Sequence, residues 1–103
     1  MPSIHTYAIR FHGGLKGEGT GIRAHIHLFD SQNKMVGRID FYDPKLTLPA
    51  DRNDGMIHMS MSADQIHAVV DVLRNEKPIY LQWQKTLQNA YLGTGQEPVG
   101  EGE

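Results

Sequence analysis

The chain has 103 residues, and its 10 lysines and arginines against 12 aspartates and glutamates give a formal charge of −2. This balance disfavours a nucleic-acid binder that relies on bulk electrostatic attraction, and the absence of cysteine excludes disulfides, thiolate metal sites and a cysteine nucleophile. No apolar run approaches the roughly 20 residues of a membrane helix, and the start lacks the regions of a signal peptide. We therefore expect a cytoplasmic protein with no nucleic-acid or membrane partner.

The first part of the chain predicts three strands and a glycine-rich connection. Apolar and polar residues alternate over Ile4–Phe11, Ile22–Asp30 and Met35–Tyr42, which is the period-two pattern of a half-buried strand. The connection over 12–21 lacks the spacing of a phosphate-binding loop. Because glycine loses the most backbone entropy on ordering, we expect this connection to be mobile.

The second strand carries the clearest pattern. Its even-numbered residues form an apolar row, so Arg23, His25 and His27 project together from the opposite face. A two-residue loop at Gln32-Asn33 predicts the register with the third strand. In that register the cross-strand pairs on the face away from the core are His27 with Arg38, His25 with Asp40 and Arg23 with Tyr42. A histidine and a carboxylate are therefore expected to meet across the strands.

The second part predicts one helix among further strands. Ser62 and Gln65 have the spacing of a capping box, and apolar residues at helical spacing follow them, which predicts a helix over 63–75. Asp51–Gly55 has the composition of a hairpin turn. The expected strands are a short edge piece at Leu46–Leu48, then Met56–Met61 with His58 pointing outward, Ile79–Gln84 and Ala90–Thr94.

These elements predict a single α+β domain over residues 1–94, followed by a flexible, acidic, glycine-rich tail over 95–103. The expected fold is a mostly antiparallel sheet of five or six strands with one helix packed on one face. The alternative is an all-β barrel or sandwich with one helix. One short helix covers only part of a sheet, and several side chains are of the kind enriched at interfaces, so we expect a homodimer. These side chains are Tyr42, Tyr80, Trp83 and Tyr91.

The first candidate site is a divalent-metal centre on the histidine-bearing face. Two imidazoles that are two residues apart on a strand can converge on one ion, and imidazole combined with carboxylate suits zinc or a similar metal. The candidate ligands are His25, His27, His58 and Asp40. The alternative is a half-wet sheet face on which these imidazoles are hydrogen-bonded to their neighbours.

The second candidate site is an acid–base pair in which Asp40 orients His25. A carboxylate that fixes a histidine tautomer is a recurring catalytic arrangement. The sequence holds no Gly-x-Ser-x-Gly nucleophile motif, and a cross-strand histidine and aspartate also serve as an ordinary stabilising pair. We therefore lean away from an enzyme and assign no catalytic residue.

The leading hypothesis is a non-enzymatic binding or interaction module. Its partner, an unidentified protein or small molecule, would meet either the acidic tail or a face rich in histidine and arginine. The residues of that face are Arg10, Arg23, His25, His27 and Arg38. A metal-binding protein that uses His25 and His27, and a small enzyme that uses His25 and Asp40, are the two alternatives.

Overall fold

The computed structural model describes residues 3–13 and 21–96 of the chain. The predicted glycine-rich connection and tail fall for the most part, at 14–20 and 97–103, outside the described residues. The helical segment covers 63–75 as predicted, and it begins with a 3₁₀ turn at Ala63–Gln65. The α-helix that follows this turn is α1 (Ile66–Asn75). In chain order the strands are β1 (Thr6–Phe11), β2 (Ile22–Phe29), β3 (Met35–Tyr42), β4 (Arg52–Asn53), β5 (Ile57–Ser62), β6 (Ile79–Gln84) and β7 (Asn89–Thr94).

The strands form two sheets, and the prediction of an α+β fold is confirmed. Five strands are ordered β1-β2-β3-β5-β4, and β6 pairs with β7 separately. In the larger sheet β3 and β5 run parallel, while every other neighbouring pair is antiparallel. The parallel pair needs a crossover connection, which residues 43–56 supply. The described part of the chain forms no closed barrel, so the barrel alternative is wrong.

The core lies between one face of the five-stranded sheet and a layer made of α1, β6 and β7. The apolar rows of β2 and β3 are buried as their alternation predicts, and Val69 and Leu73 of α1 pack against them. Each fully buried side chain of this size contributes about 1.5–3 kcal/mol relative to exposure. The largest fully buried side chains are Phe41, Ile26, Leu28, Ile39 and Leu81.

The start of the helical segment differs from the predicted capping box. Ser62 makes no side-chain capping hydrogen bond, and Gln65 Nε2 lies 3.5 Å from the Asp64 carboxylate instead. Ser62 is the last residue of β5 and is paired with Tyr42, so the strand positions it rather than the helix. Within residues 3–13 and 21–96, no helix is long and apolar enough to cross a membrane.

Gly37 and Asp51 make two of the contacts between the small sheet and the large one. A β-carbon at Gly37 would overlap the Leu81 side chain, so β6 approaches β3 closely at this glycine. The Asp51 carboxylate accepts the backbone N–H of Ser60 on β5 at 2.7 Å and that of Ala90 on β7 at 2.9 Å. A single carboxylate therefore ties the two sheets together through their main chains.

The segment between β3 and β5 confirms one prediction and corrects another. Leu46–Leu48 is exposed and pairs with no described strand, because flanking prolines cannot donate backbone hydrogen bonds, so the predicted edge piece is wrong. The predicted turn at Asp51–Gly55 is confirmed, since β4 pairs back onto β5. Asn53 Oδ1 accepts the Gly55 N–H at 3.2 Å, and Gly55 has a φ of 103°, which favours glycine.

Candidate functional site

The register of β2 with β3 builds the site. His25 is paired with Asp40 and His27 with Arg38, as predicted. The turn that was expected to set this register is nevertheless longer by one residue, with Asn33 in the left-handed conformation at φ 62°. A shift in the pairing between Leu28 and Phe29 adds one residue to β3. The two departures cancel, so the middle of the hairpin has the predicted pairs.

At the other end of the hairpin the prediction fails. Tyr42 is paired with Ile22 rather than with Arg23, because a second register shift lies between Ile22 and Ala24. The extra residue is Arg23, whose carbonyl accepts the backbone N–H of His12 at 3.0 Å. Bulges of this kind are frequent near strand ends and redirect the side chain that they carry.

His25, Asp40 and Arg38 form the centre of the site. His25 Nδ1 lies 2.7 Å from Asp40 Oδ1, and because a carboxylate can only accept, this contact assigns the proton to Nδ1. Arg38 Nε lies 2.8 Å from the same oxygen, and Arg38 Nη2 donates to Asp40 Oδ2 at 3.3 Å. Both His25 and Asp40 are only 4% exposed. The face opposite the core was expected to be half-wet, but its centre is buried.

Two further imidazoles lie beside this centre. The His12 ring meets the His25 ring edge-on with centroids 4.8 Å apart, and the His27 ring lies 5.9 Å from that of His25. From the sequence we expect His12 in the mobile connection, but its backbone hydrogen bond continues β1. Its Nε2 is buried and has no hydrogen-bond partner among the described residues. His12 has the same parity as Arg10 on β1, and this was the signal that could have found it.

The surroundings of His27 are positively charged. Burial lowers the pKa of His27 below its ordinary value, and the charges of His25, Arg10 and Arg38 lower that pKa further. Asp40 opposes them with a smaller effect. His27 is half-buried, so it lies where a ligand from solvent could reach it. The field at this position therefore favours an anion.

His58 lies apart from the other candidate metal ligands. It is on β5 opposite Arg38, which separates it from His27 on β2. Its Nε2 lies 3.3 Å from Asp54 Oδ1, and its Nδ1 is buried with no hydrogen-bond partner among the described residues. Neighbouring strands are about 4.8 Å apart, so two strand spacings separate His58 from His27. Across 3–13 and 21–96, no group of three or more His, Cys, Asp or Glu side chains is placed to hold a metal ion.

The arrangement has the elements of an acid–base pair, and two hydroxyl-bearing residues, Ser60 and Tyr42, lie near it. Asp40 orients His25, and Ser60 lies opposite Asp40 in the register of β3 and β5. Burial raises the pKa of Tyr42, and the charge of Asp40 raises it further. The Tyr42 hydroxyl therefore stays protonated near neutral pH. The contacts of Asp40 with His25 and Arg38 hold these two side chains in place.

The structure brings together three members of the predicted face, His25, His27 and Arg38, and places Arg10 opposite His25 on β1. Arg23 lies at the bulge between Ile22 and Ala24. Comparisons of the chain with protein-family models, curated proteins and solved structures gave no match. A functional proposal must therefore start from the geometry of these side chains.

Proposed function

We propose that the protein is a non-enzymatic binding module whose basic face, Arg10, Arg23, His25, His27 and Arg38, binds a small oxyanion. The observation that carries the proposal is the charge around His27. The charges of Arg10, Arg38 and His25 lower the pKa of His27, and together they outweigh the opposing charge of Asp40. Arginine and imidazole N–H groups donate well to carboxylate and phosphate oxygens.

Asp40 supports binding by holding the donors in position. Its contacts with Nε and Nη2 fix the Arg38 guanidinium, whose side chain remains 29% exposed. Its contact with Nδ1 fixes the His25 ring. Donors that are ordered before the ligand arrives lose less conformational entropy on binding. The buried carboxylate is therefore proposed as a positioning group.

The two alternatives rank below anion binding for specific reasons. A metal centre at His25 and His27 would require His25 to use its second ring nitrogen, because Nδ1 contacts Asp40. If the pair of His25 and Asp40 were to activate a hydroxyl as a nucleophile, that hydroxyl would have to lose its proton, and burial together with Asp40 raises the pKa of Tyr42. Titration with zinc by calorimetry tests the metal centre. Saturable heat in the wild type that is lost in His25→Ala would favour metal binding over anion binding.

The anion proposal is tested by nuclear magnetic resonance on isotopically labelled protein titrated with pyrophosphate and with citrate. We expect saturable shifts of the His27 ring and of the backbone amides of β2 and β3. Arg10→Gln should weaken binding about tenfold, because one charge-assisted hydrogen bond is lost. Arg74→Gln removes an exposed arginine on α1 and is the matched control, which should leave binding unchanged. Absence of saturable shifts, or equal weakening in both variants, would overturn the proposal.

We also propose that the protein is a cytoplasmic homodimer. The absence of cysteine fits a reducing compartment. β1 is an outer strand of the five-stranded sheet, and Phe11 at its end is 66% exposed. A large exposed aromatic side chain on an edge strand is a common feature of protein contacts. Light scattering should give the mass of two subunits at micromolar concentration, and the mass of one subunit would refute the dimer.

A further inference from the structure

A cavity of about 420 Å³ lies where the β2–β3 turn, the β4–β5 turn and β6 meet. This volume is within the range of small-molecule sites. The residues that matter for its chemistry are Lys34, Asn53, Gln82, Trp83, Met35 and Ile57. Ile57 belongs to the core cluster, whereas His25 and Asp40 lie on the other face of the sheet. The cavity is therefore separate from the basic face.

The two amide side chains of the cavity have their oxygens occupied. Gln82 Oε1 accepts the Tyr91 hydroxyl at 2.7 Å, and Asn53 Oδ1 accepts the backbone N–H of Gly55 at 3.2 Å. Each contact fixes the orientation of its amide. The amide nitrogens can only donate, and each amide oxygen retains a second lone pair.

The other two polar side chains that line the cavity are also hydrogen-bond donors. The Lys34 ammonium and the Trp83 indole N–H have no accepting atom. None of the described lining residues is acidic. Four of the lining side chains therefore carry hydrogen-bond donors, and one of the four is a cation. A ligand that suits them presents acceptor oxygens and a negative charge.

Apolar side chains complete the cavity. Met35 and Ile57 line it together with the indole ring, which offers a flat surface. A ligand that consists only of an oxyanion would leave this surface uncovered. We propose that this cavity binds small organic monocarboxylates with a flat or aliphatic body, the carboxylate near Lys34 and the body against Trp83. This site does not depend on the oxyanion site of the basic face.

Trp83 is the only tryptophan of the chain and lines this cavity, so its fluorescence responds to changes there. The probes are phenylacetate and hexanoate, with phenylacetamide as the neutral counterpart. We expect a saturable change in fluorescence with both carboxylates and binding at least tenfold weaker for the amide, because the charge on the ligand is absent. Competition with pyrophosphate should leave the signal unchanged, since pyrophosphate has no apolar body.

Lys34→Met keeps the length of the side chain and removes its charge. It should weaken phenylacetate about tenfold, whereas Lys85→Met, which changes an exposed lysine in the β6–β7 turn, should have no effect. Circular dichroism checks that both variants are folded. A response that does not saturate with either carboxylate, or equal affinities in the two variants, would overturn the proposal. The titrations of the basic face with pyrophosphate and citrate are unaffected by either result.

Discussion

Each face of the β2–β3 hairpin has a buried centre, but the two centres are buried by different means. On the core face Ile26, Ile39 and Phe41 lie among apolar neighbours from α1 and β6. On the opposite face His25 and Asp40 are buried by contacts with charged and aromatic groups. Apolar side chains are stabilised by their removal from water. A buried carboxylate is stabilised only as long as its charged and hydrogen-bonding partners are present. One hairpin therefore combines a core that stabilises the fold with a polar centre that is held in place for binding.

The largest effect is expected on the core face. Phe41→Ala should destabilise the protein by about 3–5 kcal/mol, because it removes a fully buried ring and leaves a cavity. Leu87→Ala changes a side chain that is 68% exposed and is the control. Urea denaturation measures both variants. A loss of less than about 1 kcal/mol for Phe41→Ala would mean that the core face is loosely packed.

A somewhat smaller effect is expected at the centre of the polar face. Asp40→Asn should cost about 2–3 kcal/mol, below the full value for a buried ion pair because Arg38 is partly exposed. Asp54→Asn removes an exposed carboxylate that also contacts a histidine and an arginine, and it should cost much less than Asp40→Asn because solvent screens this group. If denaturation in urea gives equal stabilities for the two variants, the charge of Arg38 is solvated by water and is not balanced by Asp40.

Close packing on the core face has its own test. Gly37→Ala should cost about 1–2 kcal/mol, because the added β-carbon would meet the Leu81 side chain and displace β6. Gly13→Ala is the matched control, since nothing lies within 4 Å of its added carbon. Thermal unfolding distinguishes the variants. Equal melting temperatures would show that the small sheet shifts without cost and that the contact is not tight.

The smallest effect is the pH dependence at His27. Its pKa in the folded protein lies below the ordinary value of 6.5, so the folded state binds fewer protons than the unfolded state. The stabilisation from this group is complete above pH 6.5 and is lost as the pH falls through the folded pKa. Urea denaturation of wild type and His27→Asn over this pH range isolates the contribution. A wild-type stability that rises on acidification relative to the variant would contradict the sign.

Pyrophosphate should reverse the direction of this shift. A bound anion favours the protonated imidazole, so the pKa of His27 should rise when the basic face is occupied. Binding should accordingly become tighter as the pH falls. Titration of the His27 ring by nuclear magnetic resonance, with and without pyrophosphate, measures the change. An unchanged pKa at saturating pyrophosphate would place the anion elsewhere.

Local pattern was enough to predict most of the elements. Alternation predicted the strands, and apolar spacing predicted the helical segment over 63–75, because these periods follow from backbone geometry alone. The pairs of His25 with Asp40 and His27 with Arg38 were also predicted correctly. They were predicted from an incorrect turn, whose extra residue is offset by the shift in β3.

Contacts between distant segments could not be predicted in the same way. The capping box at Ser62 failed because pairing with Tyr42 positions that residue, and the contribution of His12 was missed because β1 continues past its apolar pattern. Gly37 and Asp51 connect the two sheets through partners far away in the chain. Neither role has a local signature.

The sequence by itself determined which side chains share a face, since parity along a strand requires no knowledge of its neighbours. It placed Arg23, His25 and His27 opposite the apolar row, and the described fold agrees for the two histidines. Only the tertiary structure decided which of these residues are buried and what charge surrounds them. Burial and electrostatic field depend on β1, β3 and β5 together, because both are sums over all neighbours and not properties of one strand.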